Sequence, residues 1–119
     1  MEVSSVKAID IVKEFKERLK AVHKDNLKAV HKYNLKAVIL YGSMARGDFD
    51  DESDIDVLVV LNDISDYKKE FKKTFQVQRE LEMKYDDNII IGCVMAKSLD
   101  YETRCEPLYL NIRKEGIVV

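Results

Sequence analysis

Two segments decide the fold: Tyr41-Gly42-Ser43-Met44-Ala45-Arg46-Gly47 and, after six further residues, Asp54-Ile55-Asp56-Val57-Leu58-Val59-Val60. The first segment continues the run Val38-Ile39-Leu40, whose β-branched and apolar residues are typical of a buried strand. A strand that ends in Gly-Ser and turns into a helix presents backbone N–H groups and a hydroxyl, and Gly42 has no Cβ to keep a phosphate away. We therefore predict an anion-binding turn at Gly42 and Ser43.

The second segment places two carboxylates at the start of an apolar strand, predicted over Ile55–Leu61. Because side chains alternate along a strand, Asp54 and Asp56 point to the same face and stand about 6 to 7 Å apart. Carboxylates on so apolar a strand cost free energy unless a metal ion or a hydrogen-bond donor contacts them. Hard oxygen ligands in this pairing suit Mg²⁺, which takes one or two carboxylates and completes its shell with substrate phosphates and water. The spacing predicts Asp54 and Asp56 as metal ligands.

The region before the first strand combines a helical pattern with a repeat. Apolar residues recur at helical spacing over residues 6–22, and an eight-residue repeat runs from Leu19 into the strand. We interpret the repeat as a local duplication that lengthens the helix or its connector. The same tetrapeptide is then expected in two structures, as helix in Leu19-Lys20-Ala21-Val22 and as strand in Leu35-Lys36-Ala37-Val38.

The second half of the chain continues the alternation. A helix is predicted to open at Asp63 or Ser65, followed by a strand over residues 89–95, a short turn at Ser98 and a final helix over residues 107–114. The apolar face of the first of these helices is predicted to comprise Tyr67, Phe71, Phe75 or Thr74, Val77, Leu81 and Tyr85. The order α-β-α-β-α-β-α predicts an α/β (α+β) fold, a small mixed sheet flanked by helices.

Length and composition bound the function. The 119 residues are expected to form one domain, 1–119, without room for a second domain that would hold an acceptor. A net charge of -2 gives no general reason to expect DNA or RNA binding. No apolar run approaches the roughly 18 residues of a membrane helix. Cys93 and Cys105 lack metal-type spacing and no secretory leader is evident, so we expect a cytoplasmic protein without disulfides or a membrane partner.

The two deciding segments also resemble a known family. Gly42-Ser43, Ala45-Arg46-Gly47 and Ser53-Asp54-Ile55-Asp56 closely resemble the signature of the polymerase-β-like nucleotidyltransferase superfamily, and in particular its minimal members, short prokaryotic proteins that act as antitoxins. The core motif covers residues 35–61, and residues 107–117 are similar to the tail of the minimal members. The resemblance implies a polymerase-β-like nucleotidyltransferase fold and assigns roles to five residues: Gly42 and Ser43 hold the triphosphate, Arg46 supports the helix start or the phosphates, and Asp54 and Asp56 are catalytic and bind the metal.

The resemblance further implies a function. It is the Mg²⁺-dependent transfer of a nucleoside monophosphate, AMP from ATP, to a hydroxyl of a protein partner. In that family the usual companion is a small helical HEPN-type ribonuclease toxin, which the antitoxin neutralises by binding it or by attaching AMP to a tyrosine hydroxyl. A homo-oligomer is a further alternative, with Tyr109 as a candidate interface residue.

The sequence departs from the family pattern at one position, and this departure leaves a second interpretation. Active superfamily members generally present a third carboxylate on the next core strand, where it helps to orient or deprotonate the attacking hydroxyl. Here Gly92 or Cys93 stands near that place, and Asp86 and Asp87 lie just before the strand. The rival interpretation is therefore a catalytically weak or inactive nucleotide-binding antitoxin that works by covering its partner. Transfer to a small molecule is disfavoured, because nothing is left to form an acceptor pocket.

Other polar residues have simple interpretations. Arg46 has a structural alternative, an ion pair with a neighbouring carboxylate such as Asp48, and the acids of residues 48–52 are expected in a solvated loop. His23 and His31 lie eight positions apart and differ in direction by about 80° on a helix, so a shared metal is not expected. We predict both histidines at the surface.

Overall fold

The computed structural model describes residues 5–23, 34–47 and 54–119. Asp48 and the rest of the predicted acidic loop, His31 and residues 27–33 of the second copy of the repeat lie outside these residues. The elements follow in the order α1 (Ser5–Val22), β1 (Leu35–Tyr41), α2 (Ser43–Arg46), β2 (Ile55–Leu61), α3 (Tyr67–Lys84), β3 (Ile91–Lys97), α4 (Ser98–Thr103), α5 (Pro107–Glu115) and β4 (Ile117–Val118).

The strands form one mixed sheet in the order β3-β2-β1-β4. Strand β1 is antiparallel to both β2 and β4, whereas β2 and β3 are parallel and are joined through α3. The predicted α/β class with a small mixed sheet is therefore confirmed. The register pairs Tyr41 with Asp56 and Asp56 with Gly92, so these three residues lie in a row across one end of the sheet.

The two faces of the sheet are covered unequally. Helices α1 and α3 pack on one face, where the main core includes Phe15 and Val57. The opposite face holds a smaller core, in which Leu58 and Val60 pack against Ile112 of α5. Because side chains alternate along β2, Asp56 shares this second face with Leu58, as does Asp54 at the start of the strand. We call this second face the carboxylate face; Tyr41, which pairs with Asp56, packs against its smaller core.

Several boundaries differ from the predicted ones. Strand β3 begins at Ile91, two residues later than predicted, and the short strand β4 pairs with Ile39 and Leu40 at the sheet edge. Neither Asp63 nor Ser65 caps α3: the cap is Asp66, whose carboxylate accepts a hydrogen bond from the Lys69 N–H at 3.2 Å. Pro107 does begin the final helix, as predicted. Helices in the described part of the chain lack the combined length and apolar character needed to cross a membrane.

The predicted apolar face of α3 was partly wrong. Thr74, Val77 and Leu81 are buried, whereas Tyr67, Phe71 and Phe75 are 54%, 43% and 47% exposed. At about 100° per residue, Phe71 and Phe75 are rotated by roughly 60° and 100° from Thr74, which takes them off the face that packs on the sheet. The aromatic residues were a good guide to a helix but a poor guide to its orientation.

His23 follows α1 directly and is buried, only 1% exposed, so the predicted surface position is wrong. Its Nδ1 lies 2.6 Å from Glu70 Oε2, and its Nε2 lies 2.8 Å from Thr74 Oγ1. The ring therefore joins the end of α1 to α3 through polar contacts that satisfy both ring nitrogens.

This burial leads to a pH-dependent stability. Burial lowers the pKa of His23 below its ordinary value, against the opposing effect of Glu70. The unfolded chain therefore takes up the proton more readily, and the free energy of unfolding should decrease as pH falls from 7 through the ordinary histidine range near 6.5. We expect His23→Gln to reduce this slope in urea denaturation at pH 7, 6 and 5. Identical slopes in the two proteins would contradict it.

Candidate nucleotide and metal site

The turn after β1 depends on glycine. Gly42 has φ 74° and ψ -156°, a conformation that is essentially restricted to glycine. Its carbonyl accepts hydrogen bonds from the N–H groups of Ala45 and Arg46, both at 3.1 Å, and Gly47, with φ 82°, ends this single helical turn. The predicted change from strand to helix at Gly42 and Ser43 is thus confirmed, and it places Ser43 at the start of α2 beside the end of the sheet.

The Asp56 carboxylate lies between two glycines. A Cβ added at Gly42 would stand 2.5 Å from Asp56 Oδ2, and one added at Gly92 would stand 2.9 Å from Oδ1. Both distances are shorter than a real Cβ contact, so each carboxylate oxygen occupies space that any other residue would fill. We call Gly42 and Gly92 the glycine slot. The slot makes room for the Asp56 carboxylate, because neither glycine has a side chain there.

The charges at this end of the sheet favour a cation. Burial raises the pKa of Asp56, the nearby charge of Asp54 raises it further, and Arg46 opposes both effects. Burial also raises the pKa of Tyr41, with a smaller effect from Asp56. A cation between Asp54 and Asp56 would relieve the repulsion between the carboxylates and compensate for burial. The electrostatics therefore fit a metal ligand pair better than a structural ion pair.

The chemistry of the donors fits Mg²⁺ held together with a substrate. Asp54 is exposed and Asp56 is half-buried, so ligands from solvent or from a phosphate can reach the pair. Across residues 5–23, 34–47 and 54–119 there is no cluster of three or more His, Cys, Asp or Glu side chains arranged to hold a metal. Magnesium is commonly bound by one or two carboxylates plus substrate phosphates, which matches this partial ligand set.

A cleft of about 200 Å³ opens next to Gly42, between the β1–α2 turn and α5. Tyr41 and Leu108 line it, and Asn111 adds an amide. At its rim Arg46 Nη1 lies 3.6 Å from Glu115 Oε2. The cleft is smaller than the 300–1,000 Å³ typical of pockets that enclose a whole ligand. It therefore has room for part of a ligand of that size.

The place of a third carboxylate is taken by Gly92. It is the residue of β3 that pairs with Asp56, whereas Cys93 packs against the main core on the other face. Burial raises the pKa of the Cys93 thiol to about 12, which leaves it unreactive. Asp86 and Asp87 form a left-handed turn after α3, each with φ 56°, and Asp87 Oδ1 lies 3.2 Å from Arg79 Nη2. Neither acid contributes to the pKa shift of Asp56.

The structure thus brings Gly42, Ser43, Arg46, Asp54 and Asp56 to one end of the sheet and adds residues that the sequence did not single out. Asn111 and Glu115, one turn apart on α5, complete the cleft. No local pattern predicts where α5 packs, so they could not be identified from the sequence. Gly92 carried a usable signal, because a glycine inside a strand often marks the close approach of another group.

Gly92→Ala tests the glycine slot. The added Cβ must displace the Asp56 carboxylate, so we expect the affinity for Mg²⁺–ATP to fall by roughly tenfold, with a small change in thermal stability. Cys93→Ala is the matched control, since it changes the neighbouring residue on the opposite face. Calorimetric titration of both variants measures the effect. Equal affinities of Gly92→Ala and Cys93→Ala for Mg²⁺–ATP would show that binding does not depend on the space at Gly92.

Residues 24–119 match the family model described as polymerase beta, nucleotidyltransferase. A candidate protein adenylyltransferase of Methanocaldococcus jannaschii is 36% identical over 89 residues, which are 75% of this chain and 79% of that protein.

Solved structures agree on the fold. A candidate nucleotidyltransferase from Sulfolobus solfataricus has a TM-score of 0.60 at 19% identity, covering 96% of this chain and 80% of that chain. A toxin-antitoxin with AMP-PNP has a TM-score of 0.56 at 17% identity, covering 89% and 70%. A mutant of the toxin-antitoxin MntA-HpeT has a TM-score of 0.52 at 17% identity, covering 99% and 72%. These structural likenesses establish the fold; together with the family match, they mean that the chain belongs to the polymerase β nucleotidyltransferase family.

Proposed function

We propose that this protein transfers AMP from ATP to a hydroxyl of a partner protein in a Mg²⁺-dependent reaction. The observation that carries the proposal is the position of Asp56, which the glycine slot holds beside both Asp54 and the Gly42–Ser43 turn. The 36% identical relative, itself a candidate protein adenylyltransferase, supports the choice of AMP and of a protein acceptor.

Each residue then has a role. Asp54 and Asp56 would hold Mg²⁺, which would offset the negative charge of the α-phosphate and the departing pyrophosphate. Ser43 and the first N–H groups of α2 steady the outer phosphates, and the cleft beside Tyr41 and Asn111 takes the nucleoside. The acceptor oxygen bonds to the α-phosphorus while the bond from that phosphorus to the bridging oxygen breaks. Pyrophosphate leaves, and the hydroxyl proton passes to solvent water.

The partner is proposed to be a toxin. The cleft beside Gly42 has room for part of a nucleotide, and we infer that the acceptor comes from another molecule. Two of the structures with the same fold are toxin-antitoxin proteins, one of them with AMP-PNP. We therefore propose an antitoxin whose companion is a helical HEPN-type toxin.

The transfer should be slow. Because Gly92 occupies the place of a third carboxylate, the attacking hydroxyl lacks a positioned base on β3. A missing general base costs ~10²- to 10⁴-fold, so we expect turnover lower by that factor than in a relative with three carboxylates, at comparable ATP affinity. Single-turnover kinetics measures it. Equal turnover would contradict the expectation and direct attention to Asp86 or Asp87.

The glycine at position 92, where a third carboxylate would stand, also favours a second function: a nucleotide-binding antitoxin that neutralises its partner without modifying it. Co-expression with the product of the neighbouring gene, followed by size-exclusion chromatography and intact mass, separates the two. A mass increase of one AMP that disappears with Asp54→Asn supports transfer. A complex without added mass supports the binding function, and the lack of a complex would count against both.

A further inference from the structure

The outer strand of the sheet carries an apolar row next to the two carboxylates. On the carboxylate face, β3 contributes Gly92 and Val94, which pair with Asp56 and Leu58 of β2. Ile90 precedes them by two positions, and its carbonyl accepts a hydrogen bond from the Ile55 N–H at 2.8 Å, so it continues the row beside Asp54. We call Ile90, Gly92 and Val94 the β3 row.

The β3 row is uncovered only where it borders the site. Ile90 is 59% exposed and Val94 is 36% exposed, whereas the next residue on the same face, Ala96, is 4% exposed and packs in the core formed with Ile112. Between the two apolar side chains, Gly92 is partly exposed, and Asp56 Oδ1 occupies the space that a Cβ of Gly92 would need. The row thus consists of two exposed apolar side chains on either side of the place where the Asp56 carboxylate lies against Gly92.

The order of the strands decides on which side of Asp56 the β3 row lies. Gly42 and the cleft lie on the β1 side of Asp56, and the β3 row lies on the opposite side. In phosphoryl and nucleotidyl transfer the attacking and leaving oxygens lie roughly in line across the phosphorus. With the outer phosphates at the proposed Gly42–Ser43 site, pyrophosphate would depart on the β1 side, and an in-line attack would come from the β3 side.

We propose that the β3 row is the acceptor surface: an apolar segment of the partner protein packs on Ile90 and Val94 and places its hydroxyl over Gly92, beside the Asp56 carboxylate. This inference rests on the proposed function and adds to it the surface and the chemistry of the acceptor. Apolar side chains flank the modified hydroxyl.

The double variant Ile90→Thr/Val94→Thr tests the surface. Threonine keeps the β-branched shape that suits a strand and adds no charge near Asp54 and Asp56, but it replaces the apolar contacts. We expect unchanged affinity for Mg²⁺–ATP and a decrease of ~10-fold or more in AMP transfer to protein, the loss expected when central apolar contacts of an interface are removed. The matched control is Phe71→Ser/Phe75→Ser, two similarly exposed apolar residues on α3.

Both quantities are measured on the whole protein. Calorimetry gives the affinity for Mg²⁺–ATP, and ATP labelled at the α-phosphate, added with the protein to a lysate of its source, gives the transferred AMP on each acceptor band. Ile90→Ser alone, at the more exposed position before β3, serves if the double variant is unstable, and the same outcome is expected for it with a smaller decrease.

The outcomes separate this inference from the proposed function. Normal ATP binding with reduced labelling in the row variants, and normal labelling in the α3 control, support it. Wild-type labelling by the row variants overturns the acceptor surface while the proposed function stands. Loss of labelling in the α3 control alone moves the acceptor to α3 and also overturns it. Loss of ATP binding in the row variants assigns the row to the nucleotide instead, and absence of labelling by the wild-type protein overturns the proposed function itself.

Discussion

Replacing Asp54 and Asp56 together by Asn should abolish Mg²⁺-dependent binding of ATP and leave the protein folded. The two carboxylates are the charged oxygens that the described site offers a cation, and amides are far weaker ligands for Mg²⁺. The expected loss is at least ~100-fold in affinity, or about 2.7 kcal/mol. Calorimetric titration of ATP in the presence and absence of Mg²⁺ measures it.

Stability should not decrease in this double variant. Burial and the charge of Asp54 both raise the pKa of Asp56, so the ionised pair is held in an unfavourable state when no metal is present. Neutral amides remove that repulsion. Asp86→Asn/Asp87→Asn is the matched control, because it removes two charges at positions whose left-handed backbone Asn also tolerates. Equal ATP affinity in the Asp54/Asp56 variant and the wild-type protein would refute the assignment of the site.

Gly42→Ala is the second large effect, and here both binding and stability should suffer. Alanine at φ 74° and ψ -156° costs about 1–3 kcal/mol in backbone strain. Its Cβ would also stand 2.5 Å from Asp56 Oδ2, so the carboxylate has to move out of the slot. We expect ATP binding to fall by ~100-fold, together with a lower thermal midpoint.

Gly47→Ala separates the two causes. Gly47 also has a positive φ, 82°, but a Cβ there would meet nothing within 4 Å. This variant should therefore lose about 1 kcal/mol of stability and keep its ATP affinity. Thermal melts and calorimetry on both variants are the measurement. Parallel losses of affinity in the two would mean that backbone strain alone, without contact to Asp56, explains the effect.

The part of the fold that was predicted correctly is the part specified by neighbouring residues. A strand ending at Gly42, a helical turn from Ser43 and the start of β2 at Ile55 all follow from local patterns. The repeat shows the limit of such patterns. Leu19-Lys20-Ala21-Val22 is helical and Leu35-Lys36-Ala37-Val38 is a strand, with Leu19 and Leu35 buried in the same core. Identical residues adopt both forms because tertiary packing overrides local propensity.

The remaining features depend on contacts between distant residues. Strand β4 is two residues long and exists because Ile117 and Val118 pair with β1. No periodic pattern in the sequence predicts this pairing. His23 is buried because α3 brings Glu70 and Thr74 to it, so its polar character was a misleading guide to exposure.

The site, like the fold, has some features that local sequence predicts and others that depend on distant contacts. The carboxylate pair and the Gly42–Ser43 turn were predicted because their chemistry lies in two short segments. The cleft was not, since Asn111 reaches it only through the packing of α5. Gly92 was identified as the place of a missing acid, but its contact with Asp56 Oδ1 becomes visible only when β2 and β3 are side by side.

The transfer of AMP itself is tested most directly with two samples of ATP, one labelled at the α-phosphate and one at the γ-phosphate. Each is incubated with Mg²⁺, the purified protein and the co-expressed product of its neighbouring gene, and the protein bands are counted. The proposed function predicts stable label from the α-phosphate only, dependent on Mg²⁺ and absent with Asp54→Asn. Absence of label from the α-phosphate sample, or label from the γ-phosphate sample, would contradict it.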